Sequence, residues 1–156
     1  MIEIERKFLV NSVAYREEAS SVTLIKQGFL NTDPERTVRI RIRGNEGFIT
    51  IKGIPNKEGT TRFEWEKKIP VKEAEALIKL CHRPVISKTR FEVPYGNHLY
   101  EIDEFEGDNK GLTVAEVELS NEKEFFDKPD WLGEEVTGIK KYYNSQLSIK
   151  PFADWD

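Results

Sequence analysis

With 156 residues, the chain has room for one domain with a sizeable core and not for two ordinary ones. Its 33% charged residues and mean hydropathy of −0.59 indicate a polar protein, yet nine Phe, five Tyr and three Trp set it apart from disordered chains of similar polarity. No apolar run approaches the roughly 20 residues needed to span a bilayer, and a net charge of −4 argues against a general nucleic-acid binder.

Further exclusions follow from single residue types. One cysteine, Cys81, leaves no internal disulfide and no CxxC metal knuckle. His82 and His98, without an H-E-x-x-H pattern, give no histidine-rich zinc site. The start, Met1-Ile2-Glu3-Ile4-Glu5-Arg6-Lys7, reads as a strand rather than a signal peptide. The expected compartment is the cytoplasm and the expected partner a small molecule, with neither nucleic acid nor membrane involved. With no repeat, low-complexity tract or linker, residues 1–156 read as a single domain.

Most of the chain alternates with period 2, which predicts strands over Ile2–Val10, Thr23–Leu30, Val38–Arg43, Phe48–Lys52 and Arg62–Ile69. Val71, Ala74, Leu77, Ile78 and Cys81 then switch to helical spacing, and Arg83-Pro84 ends that pattern. Strands resume over Val85–Val93, Leu99–Phe105 and Thr113–Leu119. Ser120–Asp127 is expected to form a short helix and Gly138–Ile149 a final one. The order predicts an α+β fold on an antiparallel sheet.

The polar strand faces are charged rather than merely hydrophilic. Glu3, Glu5 and Lys7 share one face of the first strand; Arg39, Arg41 and Arg43 share one face of the third. Lys52 follows, then Arg62, Glu64, Glu66 and Lys68, then Lys88, Arg90 and Glu92, then Glu101 and Asp103, then Glu116 and Glu118. These are nine carboxylates and nine basic groups. A solvated sheet face is the ordinary reading of any one strand. Like charges stacked two residues apart on strand after strand, however, are unfavourable without counter-charges.

A closed or nearly closed barrel with these faces inward turns that penalty into a binding site, provided its lumen is wet. The carboxylates then suit a hard divalent cation such as Mg²⁺ or Mn²⁺. The Arg and Lys groups suit a polyanion, phosphate above all. Together they indicate a metal–polyphosphate complex. Cys81, on an apolar stripe, reads as a core thiol and not as a nucleophile.

Glu3-Ile4-Glu5-Arg6-Lys7 resembles the N-terminal ExExK signature of the CYTH superfamily, the triphosphate tunnel metalloenzymes. Arg39-Ile40-Arg41, Thr50-Ile51-Lys52, Glu64-Trp65-Glu66, Lys88-Thr89-Arg90, Glu101-Ile102-Asp103 and Glu116-Val117-Glu118 follow in the family's order, and the ending from Gly133 to Asn144 is similar to small bacterial members. The resemblance implies an antiparallel, eight-stranded closed β-barrel with a charged interior and helices packed outside. It implies metal ligands at Glu3, Glu5, Asp103, Glu116 and Glu118, with Glu5, Asp103 and Glu118 catalytic. Lys7, Arg39, Arg41, Lys52, Lys88 and Arg90 are expected to grip phosphate. Glu64, Glu66, Arg43, Arg62 and Lys141 are supporting residues.

The activity implied is Mg²⁺- or Mn²⁺-dependent hydrolysis of a terminal phosphate, with two ions expected and inorganic tripolyphosphate as substrate. A class IV adenylyl cyclase, a thiamine or nucleoside triphosphatase, and a non-catalytic polyphosphate binder are the alternatives. Oligomeric state is open, with a homodimer compatible.

Overall fold

The computed structural model covers residues 1–156. In chain order it contains β1 (Ile2–Val10), α1 (Tyr15–Glu18), β2 (Ser21–Asn31), β3 (Arg36–Arg43), β4 (Glu46–Gly53), β5 (Thr61–Ile69), α2 (Val71–Ile78), β6 (Ile86–Tyr95), β7 (His98–Phe105), β8 (Thr113–Glu118), β9 (Leu132–Glu135) and α3 (Asn144–Leu147). All strand pairs are antiparallel, in the order β5-β4-β3-β2-β6-β7-β8-β1-β9. A further pairing of β5 with β1 closes the first eight strands into a barrel, and β9 lies outside the ring against β1. No helix is long and apolar enough to cross a membrane.

Closure depends on β1 being shared. Ile2, Glu3 and Ile4 pair with Phe63, Arg62 and Thr61 of β5, while Glu5 to Phe8 pair with Glu118 to Ala115 of β8. Past that point β9 takes up the free edge of β1, opposite Phe8 and Val10. Every long edge of the ring is thereby paired, the safest state for a barrel.

The apolar halves of the strands form the core on the outside of the barrel. One cluster joins Phe8, Val93, Tyr100, Ile102, Ala115 and Val117 to the covering residues Tyr15, Phe126 and Trp131. A second packs Ile40 beneath Ala74 and Ile78 of α2 and Cys81. At Gly28 a Cβ atom would stand 2.6 Å from the Cβ of Cys81, so the strand is bare where the chain leaving α2 crosses it.

The third cluster corrects the expectation that the inward faces are charged throughout. Strand parity puts Phe29, Ile86, Phe105 and Val114 on the same side as the ionic residues. They meet Val136, Tyr142 and Leu147 in an apolar cluster. The C-terminal segment therefore plugs one end of the barrel, and the charged interior occupies the remainder.

Two predicted helices are absent or reduced. Within 120–127, Asn121 Oδ1 accepts from the Lys123 amide and Glu124 Oε1 from the Ser120 amide. Such local side-chain bonds compete with helical ones, and no helix forms there. The expected final helix is reduced to a 3₁₀ turn at Lys140–Tyr142 and the single turn of α3, because Tyr143 between them is extended, with ψ 136°. The helix after β5 ends at Ile78, although Cys81 keeps its buried place.

Ile40 is fully buried beneath α2, so Ile40→Ala is expected to cost about 2–5 kcal/mol of stability. Urea denaturation with an unchanged slope would check it. A loss below about 1 kcal/mol would mean that α2 contributes little to the core.

Candidate active site

The barrel interior holds a cavity of about 210 Å³ lined by 20 residues, among them seven glutamates and eight lysines or arginines. Strand register decides which of these face one another. Arg39 lies opposite Thr50, and Thr50 opposite Glu66; Lys52 lies opposite Glu64, and Arg90 opposite Asp103. Across β6, β7 and β8 the register aligns Glu92, Glu101 and Glu116 in one row, with Lys7 of β1 at its end. Glu5 faces Glu118 directly. Like charges placed opposite one another are unfavourable unless something cationic lies between them.

The basic groups divide by how well they are neutralised. Asp103 accepts from Arg90 through two parallel bonds of 2.8 and 2.9 Å, and its Oδ2 lies 2.8 Å from Lys88 Nζ. Burial alone would raise the Asp103 carboxyl, but Arg90 and Lys88 outweigh it and bring it down to about 2. Lys88 also donates to Asn144 Oδ1 at 2.9 Å, an acceptor shared with Gln27 Nε2. Its ammonium is nevertheless depressed to about 8 by burial, which the attraction of Asp103 does not fully offset. Lys52 lies 2.9 Å from Glu3 and 3.1 Å from Glu64.

Arg39 and Arg41 share a single carboxylate, Glu66, at 3.3 and 3.4 Å. The Nε–H groups of both are buried and have no hydrogen-bond partner. Burial, with Arg39 and Arg90 close by, pulls Arg41 down to about 9. These guanidinium groups are short of negative charge and point into a cavity, which is the condition for capturing an oxyanion.

The acidic half is short of positive charge. Burial raises the Glu5 carboxyl well above its usual range, with Glu116 and Glu3 adding to the effect. Glu116 moves down because Lys7, its hydrogen bond with Glu5, Arg90 and Lys88 overcome its burial. Glu5 and Glu116 thus shift in opposite directions, as two crowded acids do. Glu118 is raised by burial and by Glu3 and Glu101. Glu3 falls to about 2, since Lys52 and hydrogen bonds from Glu64 and Lys52 outweigh its burial.

No three carboxylates stand in a ready-made coordination shell. The donor chemistry still fits a hard divalent cation. An all-oxygen set in which Glu5 faces Glu118 and crowds Glu116 has a place for positive charge, and Mg²⁺ commonly takes only one or two protein carboxylates alongside water and substrate oxygens.

Fourteen of the sixteen sequence-predicted site residues line this cavity. Asp103 is the first exception: it lies behind Lys88 and Arg90, 2% exposed, with both oxygens engaged. It sets the position of two cations and does not itself line the lumen. Lys141 is the second, exposed at the surface with its ammonium 4.6 Å from the centre of the Trp155 ring. Tyr143 and Ser145, which periodicity gave no reason to single out, also line the lumen.

The chain belongs to the CYTH family: the CYTH domain model matches residues 1–148. It is 42% identical over 154 residues to an inorganic triphosphatase of Acetivibrio thermocellus, covering 98% of this chain and 97% of the relative. An inorganic triphosphatase of Nitrosomonas europaea is 36% identical, over 96% of this chain and 98% of its own length. A crystal structure described as an inorganic triphosphatase superimposes with a TM-score of 0.66 at 33% identity, over 94% of each chain.

Asp103→Asn removes the only carboxylate that neutralises Lys88 and Arg90 together. It is expected to cost about 3–5 kcal/mol. The Asp103 contribution is complete above its ordinary pKa of 3.8 and is lost as pH falls through about 2. Thermal melts from pH 5 to pH 2 should therefore converge for wild type and variant. A gap that persists unchanged at pH 2 would contradict the ion-pair origin.

Proposed function

We propose that this chain hydrolyses the terminal phosphate of a linear inorganic triphosphate, releasing pyrophosphate and orthophosphate, with a divalent cation as cofactor. The observation that carries the reading is the pair Arg39 and Arg41, whose buried Nε–H donors lack partners inside a cavity bearing a second, acidic half. The relatives' activities point the same way.

Phosphoryl transfer asks a protein mainly for positioning and charge neutralisation. Arg39 and Arg41 present planar forks to phosphate oxygens, while Lys7, Lys52, Lys88 and Arg90 supply further positive charge along the lumen. Asp103 fixes Lys88 and Arg90, so the anion is received by groups already in place. Glu66 performs the same service for Arg39 and Arg41.

Glu3, Glu5, Glu116 and Glu118 form the acidic half, and these are the residues that would hold Mg²⁺ or Mn²⁺. When bound, the ion supplies neutralisation of phosphate charge and a lower pKa for a water molecule. Glu118, partly open to the lumen and raised by burial, accepts the proton of the attacking water. The new P–O bond forms as the bridging P–O bond to the terminal phosphate breaks, and pyrophosphate leaves with the electron pair.

Glu5→Gln replaces a carboxyl that burial already drives toward its neutral form. The variant is expected to fold with an unchanged or higher melting temperature while metal-dependent phosphate release falls at least about 100-fold. Turnover near the wild-type rate would remove Glu5 from the metal-holding set. Arg41→Met is expected to raise KM for tripolyphosphate at least about tenfold. The assay panel is tripolyphosphate, ATP, thiamine triphosphate and pyrophosphate with Mg²⁺ or Mn²⁺. Cyclic AMP from ATP, or an absence of turnover on every substrate, would overturn the reading.

A further inference from the structure

The surroundings of Lys88 contain a side-chain amide whose orientation is forced. Lys88 Nζ donates to Asn144 Oδ1 at 2.9 Å, and Gln27 Nε2 donates to the same oxygen at 2.8 Å. An ammonium has three N–H donors and no lone pair. Asn144 must therefore turn its carbonyl oxygen to Lys88, and Gln27 must then offer its NH₂ group to that oxygen. Gln27 is fully buried and does so although its own Oε1 is left without a partner, an unfavourable state for a buried acceptor. Two side chains far apart in sequence, on β2 and α3, thus converge with Lys88 on one atom.

The same constraint decides what the other arm of the Asn144 amide can do. With Oδ1 committed to two donors, Nδ2 keeps both of its hydrogens free of those bonds. Asn144 is half-buried and lines the tunnel cavity together with Lys88 and Lys7. Unlike the Gln27 oxygen, its NH₂ group is not sealed from the lumen. Most donors of this cavity are charged. A neutral donor held in place beside an ammonium adds a directed bond to an oxyanion without adding charge, and its orientation is set before the ligand arrives.

We propose that Asn144 is a further substrate-binding residue, donating from Nδ2 to an oxygen of the phosphate that Lys88 neutralises, and that Gln27 is its positioning residue. The assignment rests on the triphosphate reading of the tunnel. It gives the C-terminal segment a part in recognising the substrate as well as in closing the barrel end.

The test begins with wild-type protein carrying ¹⁵N in its asparagine side chains, the Asn144 NH₂ signals being assigned by their loss in Asn144→Ala. Tripolyphosphate added without metal is expected to move these signals downfield and to slow their exchange with solvent. Kinetics on tripolyphosphate with Mg²⁺ then compare three variants. Asn144→Ala and Asn144→Asp are both expected to raise KM at least about fivefold. Aspartate still accepts from Lys88 and Gln27, so its loss does not come from a loosened lysine; alanine carries no charge, so its loss does not come from repulsion. Gln27→Met is expected to raise KM about threefold with kcat within about twofold of wild type. Asn144 signals unmoved at saturating tripolyphosphate, or a KM within about twofold of wild type in either Asn144 variant, would overturn the substrate contact. An unchanged KM in Gln27→Met would overturn the positioning role. Calorimetry showing that wild type does not bind tripolyphosphate at all would strike the triphosphate reading itself.

Discussion

Ionic side chains cannot be packed dry, and this single constraint orders the rest of the molecule. A barrel lined by seven glutamates and eight basic residues must leave its centre to water and ligand. Its apolar core is consequently displaced to the outer surface of the sheet, beneath α1, α2 and the segment around Phe126 and Trp131. In an ordinary small barrel the interior supplies the packing and the exterior meets solvent. Here those roles are exchanged, and the exposed surface is completed by short helices and loops.

Within the lumen the charges are arranged but not balanced locally. Asp103 over-supplies one corner with pairing, holding both Lys88 and Arg90, whereas Arg39 and Arg41 divide one Glu66 between them. On β1 and β8, Glu5 and Glu116 are crowded together, which with burial pushes the Glu5 carboxyl up. Negative charge is wanted at one place and positive charge at another. A metal–phosphate complex carries both in the complementary order, so its binding stabilises the folded barrel.

Much of this was legible in the sequence because β-strands have a period of 2. Arg39, Arg41 and Arg43 must share a face, and Glu116 and Glu118 must share another. The same periodicity puts Val114 and Phe105 on that charged side as well, but it could not show what they pack against there. Only the arrival of Leu147 and Tyr142 in space makes an internal plug of them. Asp103 shows a related limit. Its position on the face was readable, but its commitment to Arg90 and Lys88 depends on cross-strand register. The segment after Gly138 misled helical pattern reading because an extended residue, Tyr143, interrupts a run that otherwise has suitable spacing.

The join between β1 and β5 is the shortest of the ring, one residue pair shorter than that between β1 and β8. It consists of three residue pairs, whereas β3 and β4 share eight. Just outside it, Glu122 ties together Asn56, Thr60 and Thr61 by hydrogen bonds. A ring parts first at its shortest seam, and this seam runs directly beside Glu3, Arg62, Lys52 and Glu64. Parting it separates acidic groups of β1 from basic groups of β4 and β5. A ligand gripped by both sides therefore works as a strap across the barrel, and occupancy of the tunnel and integrity of the ring become one mechanical property.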